Sequence, residues 1–92
     1  MFYTYVLQSY AASEIYIGYC KDLKRRLREH NQGLNPSTKR YVPWKLVYYE
    51  ACLNLKDARR RERYFKLTQG RILLKRRLKE FYYEQKLKDL TN

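Results

Sequence analysis

The segment from Glu14 to Gly33, EIYIGYCKDLKRRLREHNQG, constrains this chain more than any other part of it. Its first seven residues are rich in β-branched and aromatic side chains and read as a strand. Asp22 then stands where a helix needs an N-cap, Leu23 and Leu27 mark an apolar stripe at helical spacing, and Gly33 is a C-terminal stop after about Gln32. The same segment carries an anomaly. Arg26, and one turn later His30, the single histidine of the chain, lie on or beside the stripe that faces the core, with Leu34 just past its end.

The flanking sequence supplies the rest of the fold. FYTYVL reads as a strand before the first, and the small-residue link SYAAS favours an antiparallel hairpin. If Tyr5 lies opposite Tyr16, both phenols point to one face, because side chains alternate along a strand. Gly18 interrupts the second strand, as glycine does where a bulge forms or where another backbone or a ligand approaches closely. LNPSTKRYVP is a loop and WKLVYYEAC a third strand. Asn54 caps a second helix, LKDARRRERYFKL, which TQG breaks before a last helix from Arg71 to about Leu90. The expectation is one α+β domain over residues 1–92, a three-stranded antiparallel sheet flanked by helices in the order β-β-α-β-α-α.

Composition narrows the partners. The 92 residues are 45% apolar with eleven tyrosines, enough for one compact core. The net charge of +12, from 21 Lys+Arg against nine acids, predicts attraction to a polyanion. Cys20 and Cys52 form no C-x-x-C, and with one histidine there is no zinc constellation; they read as reduced thiols of a cytoplasmic protein. No apolar run approaches the roughly 20 residues that span a bilayer, and the first residues lack the features of a signal peptide. The basic helices need their apolar faces for the core, so a membrane-surface role is the weaker reading of the charge.

The second helix repeats the anomaly of the first. Glu62 shares a face with Leu55, Ala58 and Phe65, among Arg59, Arg60, Arg61 and Arg63. On spacing alone it reads as half of a structural ion pair. Taken together with two phenols on the hairpin and with Arg26 and His30, it has the chemistry of phosphodiester hydrolysis: a carboxylate for a divalent metal, an arginine for charge on the phosphoryl oxygens, and a phenol or imidazole to take a proton from water. A free phenol has a pKa near 10, so Tyr5 or Tyr16 needs nearby positive charge to act as a base.

These residues resemble the GIY-YIG nuclease superfamily, in its small single-domain bacterial form. Tyr16-Ile17-Gly18 stands as the YIG element, Tyr3-Thr4-Tyr5 occupies the GIY element with Tyr3 in place of its glycine, and Glu62 in RRRERYF matches the metal-binding glutamate. The late asparagine of several members has no clear counterpart in TQGRILLKRRLKE. The resemblance implies a divalent-metal-dependent DNA endonuclease, with Tyr5 and Tyr16 in the base region, Arg26 on the phosphate, His30 relaying a proton, and Glu62 on Mg²⁺ or Mn²⁺. It also implies DNA as partner, branched or damaged DNA included, and leaves any directing protein open; the basic loop and last helix add Lys39, Arg40, Lys75 and Arg76, with Gly18, as expected nucleic-acid contacts. The alternative is a module of the same fold that binds nucleic acid and is catalytically weak or inactive.

Overall fold

The computed structural model describes residues 1–91. Three strands, β1 (Phe2–Ser9), β2 (Ile15–Cys20) and β3 (Trp44–Cys52), form an antiparallel sheet in the order β2-β1-β3. The helices are α1 (Leu23–Asn31), α2 (Leu55–Lys66), α3 (Thr68–Arg77) and α4 (Lys79–Thr91). The fold is therefore α+β with a three-stranded antiparallel sheet flanked by helices, as the sequence predicts. The chain forms two compact units, Met1–Glu62 and the residues from Arg63 onward.

In the first unit β1 is the central strand, and its alternation sorts the helices onto the two faces of the sheet. Tyr5 and Leu7 turn to the face where Leu23 and Leu27 of α1 pack. Thr4, their neighbour on the strand, points the other way and donates to the Ala58 carbonyl of α2 at 2.9 Å. Tyr5, Leu7, Cys20 and Trp44 form the buried cluster on the α1 face, each such apolar side chain contributing about 1.5–3 kcal/mol by leaving water. Both cysteines are free thiols.

α1 is bounded as its sequence predicts. Asp22 accepts the Arg25 N–H at 3.1 Å. At the other end the Leu34 N–H reaches the Glu29 carbonyl and the Gly33 N–H reaches that of His30, both at 3.1 Å, with Gly33 at φ +74°; this left-handed closure suits glycine. The hairpin register differs from the expectation by two residues. Tyr5 lies opposite Gly18, and Tyr16 opposite Leu7. A shift of two preserves parity, so the phenols still share a face.

The second unit departs from the sequence reading at two places. The break after α2 falls one residue before TQG, at Leu67 (φ −84°, ψ 161°), so TQG forms the first turn of α3, and a second division at Leu78 splits the expected last helix in two. A Cβ on Gly70 would run into the backbone of Tyr64, so glycine here permits a close approach rather than ending a helix. At Leu78 the hydrogen-bond ladder continues on both sides, from the Leu78 N–H to the Leu74 carbonyl at 2.8 Å and from the Tyr82 N–H to the Leu78 carbonyl at 3.1 Å. The division is a one-residue kink (φ −109°, ψ 32°).

Candidate active site on the first-helix face

The site is built around a hydrogen-bonded chain that runs from β1 through α1 into the following loop. Tyr5 and His30 are both buried, and the phenol oxygen lies 2.8 Å from His30 Nε2. On the other side of the ring, His30 Nδ1 lies 2.7 Å from Thr38 Oγ1. Thr38 is itself fully buried, with its hydroxyl 3.5 Å from the Asn35 carbonyl. Among the described residues no buried side-chain polar atom lacks a partner, the condition on which a polar interior is stable.

The proton positions along this chain follow from its ends. The positive charge of Arg26 acts on the Tyr5 phenol, which favours turning the oxygen's lone pairs to that side. The phenol's one proton then points to His30 Nε2. His30 Nδ1 then carries the ring hydrogen and donates to Thr38, whose hydroxyl faces the Asn35 carbonyl. A neutral imidazole with its hydrogen on Nδ1 satisfies every group. Burial first, and the charge of Arg26 second, push the pKa of His30 below its ordinary 6.5, in line with that neutral state.

Burial acts on Tyr5 in the opposite sense. Desolvation, assisted by neighbouring Tyr16, raises the phenol pKa above its ordinary 10, and the opposing charge of Arg26 does not overcome it. The sequence argument asked Arg26 to make the phenol a ready base. In this structure burial prevails, and Tyr5 keeps its proton with a hydrogen-bond acceptor already aligned on it.

The neighbours fix this geometry. A Cβ on Gly18 would lie 2.5 Å from the Tyr5 hydroxyl and 3.0 Å from Tyr16 Cε1. The bare backbone of Gly18 is thus the seat of the phenol, which explains a glycine in the middle of β2. Tyr16 packs edge-on to His30 with ring centroids 4.9 Å apart, and its ring lies 6.3 Å from that of Tyr5. Trp44 Nε1 donates to the Thr38 carbonyl at 2.9 Å. Asn31 clasps the Trp44 backbone, accepting its N–H at 2.6 Å and donating to its carbonyl at 3.0 Å. These bonds tie the end of α1 to the start of β3 and hold the intervening loop against His30.

Of the sequence-predicted site residues, Tyr5, Tyr16, Gly18, Arg26 and His30 share this face. Arg26 is not buried as its place beside the stripe suggests: its side chain is 40% exposed and pairs with Glu29 at 3.3 Å, leaving the guanidinium accessible from solvent. Lys39 and Arg40 are exposed on the single 3₁₀ turn Lys39–Tyr41, directly after Thr38. Lys75 and Arg76 are exposed in the last turn of α3, in the second unit.

Glu62 is buried on α2, one turn beyond Ala58, whose carbonyl accepts from Thr4. Among the described residues there is no group of three or more His, Cys, Asp or Glu that could hold a metal ion. Arginines around Glu62 have partners of their own. Arg61 makes a forked contact with Glu50 at 2.9 and 3.1 Å, Arg60 bonds Asp57 at 2.7 Å, and Arg59 lies 5.8 Å from the Tyr19 ring centroid.

Sequence reasoning missed Thr38, Asn35 and Asn31 as members of the site. The loop drew attention for its prolines and cations, and a threonine between Ser37 and Lys39 carries no periodicity that marks it as buried.

Comparison with known proteins agrees with this geometry. The family model described as GIY-YIG catalytic domain matches residues 1–77. The chain is similar to a UPF0213 protein of Clostridium perfringens, 34% identical over 92 residues that cover 95% of this chain and 98% of the relative. It is also similar to a UPF0213 protein of Bacillus licheniformis, 35% identical over 95% of this chain and 84% of the relative. A UPF0213 protein of Streptococcus agalactiae is 42% identical over 70% of this chain and 73% of its own length. No solved structure matches the chain.

Proposed function

This chain belongs to the GIY-YIG catalytic-domain family, and from that premise we propose that it is a nucleic-acid-binding domain of nuclease fold that is catalytically weak or inactive. The observation that carries the reading is the state of Tyr5. Its phenol is 1% exposed, and burial holds its proton in place. The net charge of +12 supplies a sequence-independent attraction to phosphates. No helix among the described residues is long and apolar enough to cross a membrane, and we place the protein with nucleic acid in the cytoplasm.

A second reading, a divalent-metal-dependent DNA endonuclease, is favoured by the shared face of Tyr5, Tyr16, Arg26 and His30. Here Arg26, with its guanidinium reachable from solvent, holds the scissile phosphate and offsets the charge that builds on its oxygens. Tyr5 takes a proton from the attacking water as its own passes to His30 Nε2, and Thr38 keeps the imidazole in the tautomer that can receive it. The donor set fits Mg²⁺ or Mn²⁺ only as a one-carboxylate site, with Glu62 as the protein ligand and water and phosphate oxygens as the rest. When bound, such an ion polarises the phosphate and stabilises the leaving oxygen.

One experiment separates the readings. Supercoiled plasmid and branched DNAs are incubated with the protein in Mg²⁺, Mn²⁺ or EDTA, and binding is measured on the same substrates across salt. Salt-dependent retention of DNA with nicking no faster than in EDTA supports the binding module. Metal-dependent nicking that Tyr5→Phe and Glu62→Gln each abolish, with binding kept, supports the endonuclease and removes the first reading.

A further inference from the structure

The α1 face carries a second feature, a groove that the hydrogen-bonded chain does not use. It is about 830 Å³ in volume and is lined by Tyr3, Leu23, Leu27, Leu46 and Tyr49, with Lys21, Asp22, Lys24 and Arg25 along one side. The bulge in β3 creates it. The pairing with β1 steps from Val6 opposite Tyr48 to Leu7 opposite Leu46, so Val47 is an extra residue. Leu46 and Tyr49, three apart in sequence, therefore meet on one face, which regular alternation forbids. Tyr3, which stands where the GIY motif has glycine, packs at 65° against Tyr49 with ring centroids 5.8 Å apart. That contact covers one side of Tyr49 and leaves the residue 52% exposed.

An exposed aromatic ring, braced by a second ring and set on an apolar floor, normally has no reason to remain in water. The rim says what would cover it. Lys21, Lys24 and Arg25 are exposed cations, and the one acid among them, Asp22, is engaged in capping α1. Arg25 pairs with Glu29 at 3.3 Å, and an apolar peptide would leave Lys21 and Lys24 unmatched. A nucleotide satisfies both parts, since its base has a π-face for the ring and its phosphate matches the rim. A duplex hides the faces of its bases in the stack, so only an unpaired base can use the ring.

We propose that this groove binds an unpaired nucleotide, with the base stacked on Tyr49, braced by Tyr3, and the flanking phosphates held by Lys21 and Lys24. It makes the protein prefer single-stranded over double-stranded nucleic acid. The proposal rests on the nucleic-acid-binding reading above and names its substrate class. Tyr5 occupies the same strand face two residues beyond Tyr3, so a strand anchored in the groove passes near the buried phenol and Arg26.

The test uses the full chain and fluorescence anisotropy with four probes of equal length: oligo-dT, oligo-U, a duplex, and an abasic strand that keeps the phosphates and lacks the bases. Tyr49→Ala removes a half-exposed ring and leaves the fold intact, while Tyr49→Phe keeps the stacking surface. Wild type is expected to bind oligo-dT and oligo-U more tightly than the duplex. Tyr49→Ala should lose roughly tenfold on both single strands, as expected for one stacked base, with no change on the abasic strand, and Tyr49→Phe should bind as wild type. Lys21→Ala with Lys24→Ala should weaken all four probes. Wild-type affinity of Tyr49→Ala for oligo-dT and oligo-U, or an equal loss on the abasic strand, overturns the groove proposal and leaves nucleic-acid binding standing. Failure of the wild type to bind any probe removes both.

Discussion

The two helices that flank the sheet present the same puzzle in sequence and solve it differently. α1 carries Arg26 and His30 near its apolar stripe, and α2 carries Glu62 near its own stripe. On the α1 face the polar groups are drawn into one buried chain, Tyr5 to His30 to Thr38, at 2.8 and 2.7 Å. On α2 the arginines spread outward, Arg61 to Glu50 and Arg60 to Asp57, with Arg60 70% and Arg61 38% exposed. Charge at helical spacing is therefore a poor guide to chemistry by itself. What distinguishes His30 is that its two partners, the hydroxyls of Tyr5 and Thr38, are neutral, so a titratable ring stays buried and neutral.

The comparison breaks most severely at His30. His30→Ala leaves the hydroxyls of Tyr5 and Thr38 without their shared partner and opens a cavity, so stability should fall by roughly 3–5 kcal/mol, measured by urea unfolding. Gly18→Ala should cost about 1–3 kcal/mol, because the new methyl group enters the space of the Tyr5 hydroxyl and its neighbours must shift. Thr38→Val keeps the volume but strands the N–H of His30 Nδ1, at a cost of about 1–2 kcal/mol. On the α2 side, Arg61→Ala should cost under about 1 kcal/mol, since a half-exposed ion pair is screened by water. A loss there as large as at His30 would erase the contrast between the two faces.

Acid sharpens the same contrast. The pKa of His30 is lower in the folded chain than its ordinary 6.5, so the unfolded chain binds the proton first. Its stabilisation is present above pH 6.5 and is lost as pH falls through the folded value. The melting temperature of the wild type should drop through that window more steeply than that of His30→Gln, which has no ring to protonate. Equal slopes would mean that the buried ring does not control the response.

The parts of this structure that were legible in sequence are those governed by periodicity and by capping. Alternation located all three strands, Asp22 and Gly33 bounded α1, and parity put Tyr5 and Tyr16 on one face although the register lies two residues from the expected pairing. Long-range partners were not legible. Nothing local indicates that Thr38 turns inward, since its burial depends on Trp44 and Asn31 closing the loop from β3 and α1. The bulge at Val47 lies inside a run of strand-forming residues and carries no glycine or proline to mark it. TQG has the composition of a breaker, yet Gly70 serves a close approach to the Tyr64 backbone.

The central claim is that His30 stays neutral, with its hydrogen on Nδ1 and its Nε2 accepting from Tyr5. Because the chain has one histidine, nitrogen-15 NMR of selectively labelled imidazole reads this state without any ambiguity of assignment. At pH 7 the account predicts a protonated Nδ1 and an unprotonated Nε2, which gains a proton only below pH 6.5. A ring protonated on both nitrogens at pH 7, or one carrying its hydrogen on Nε2, would contradict it.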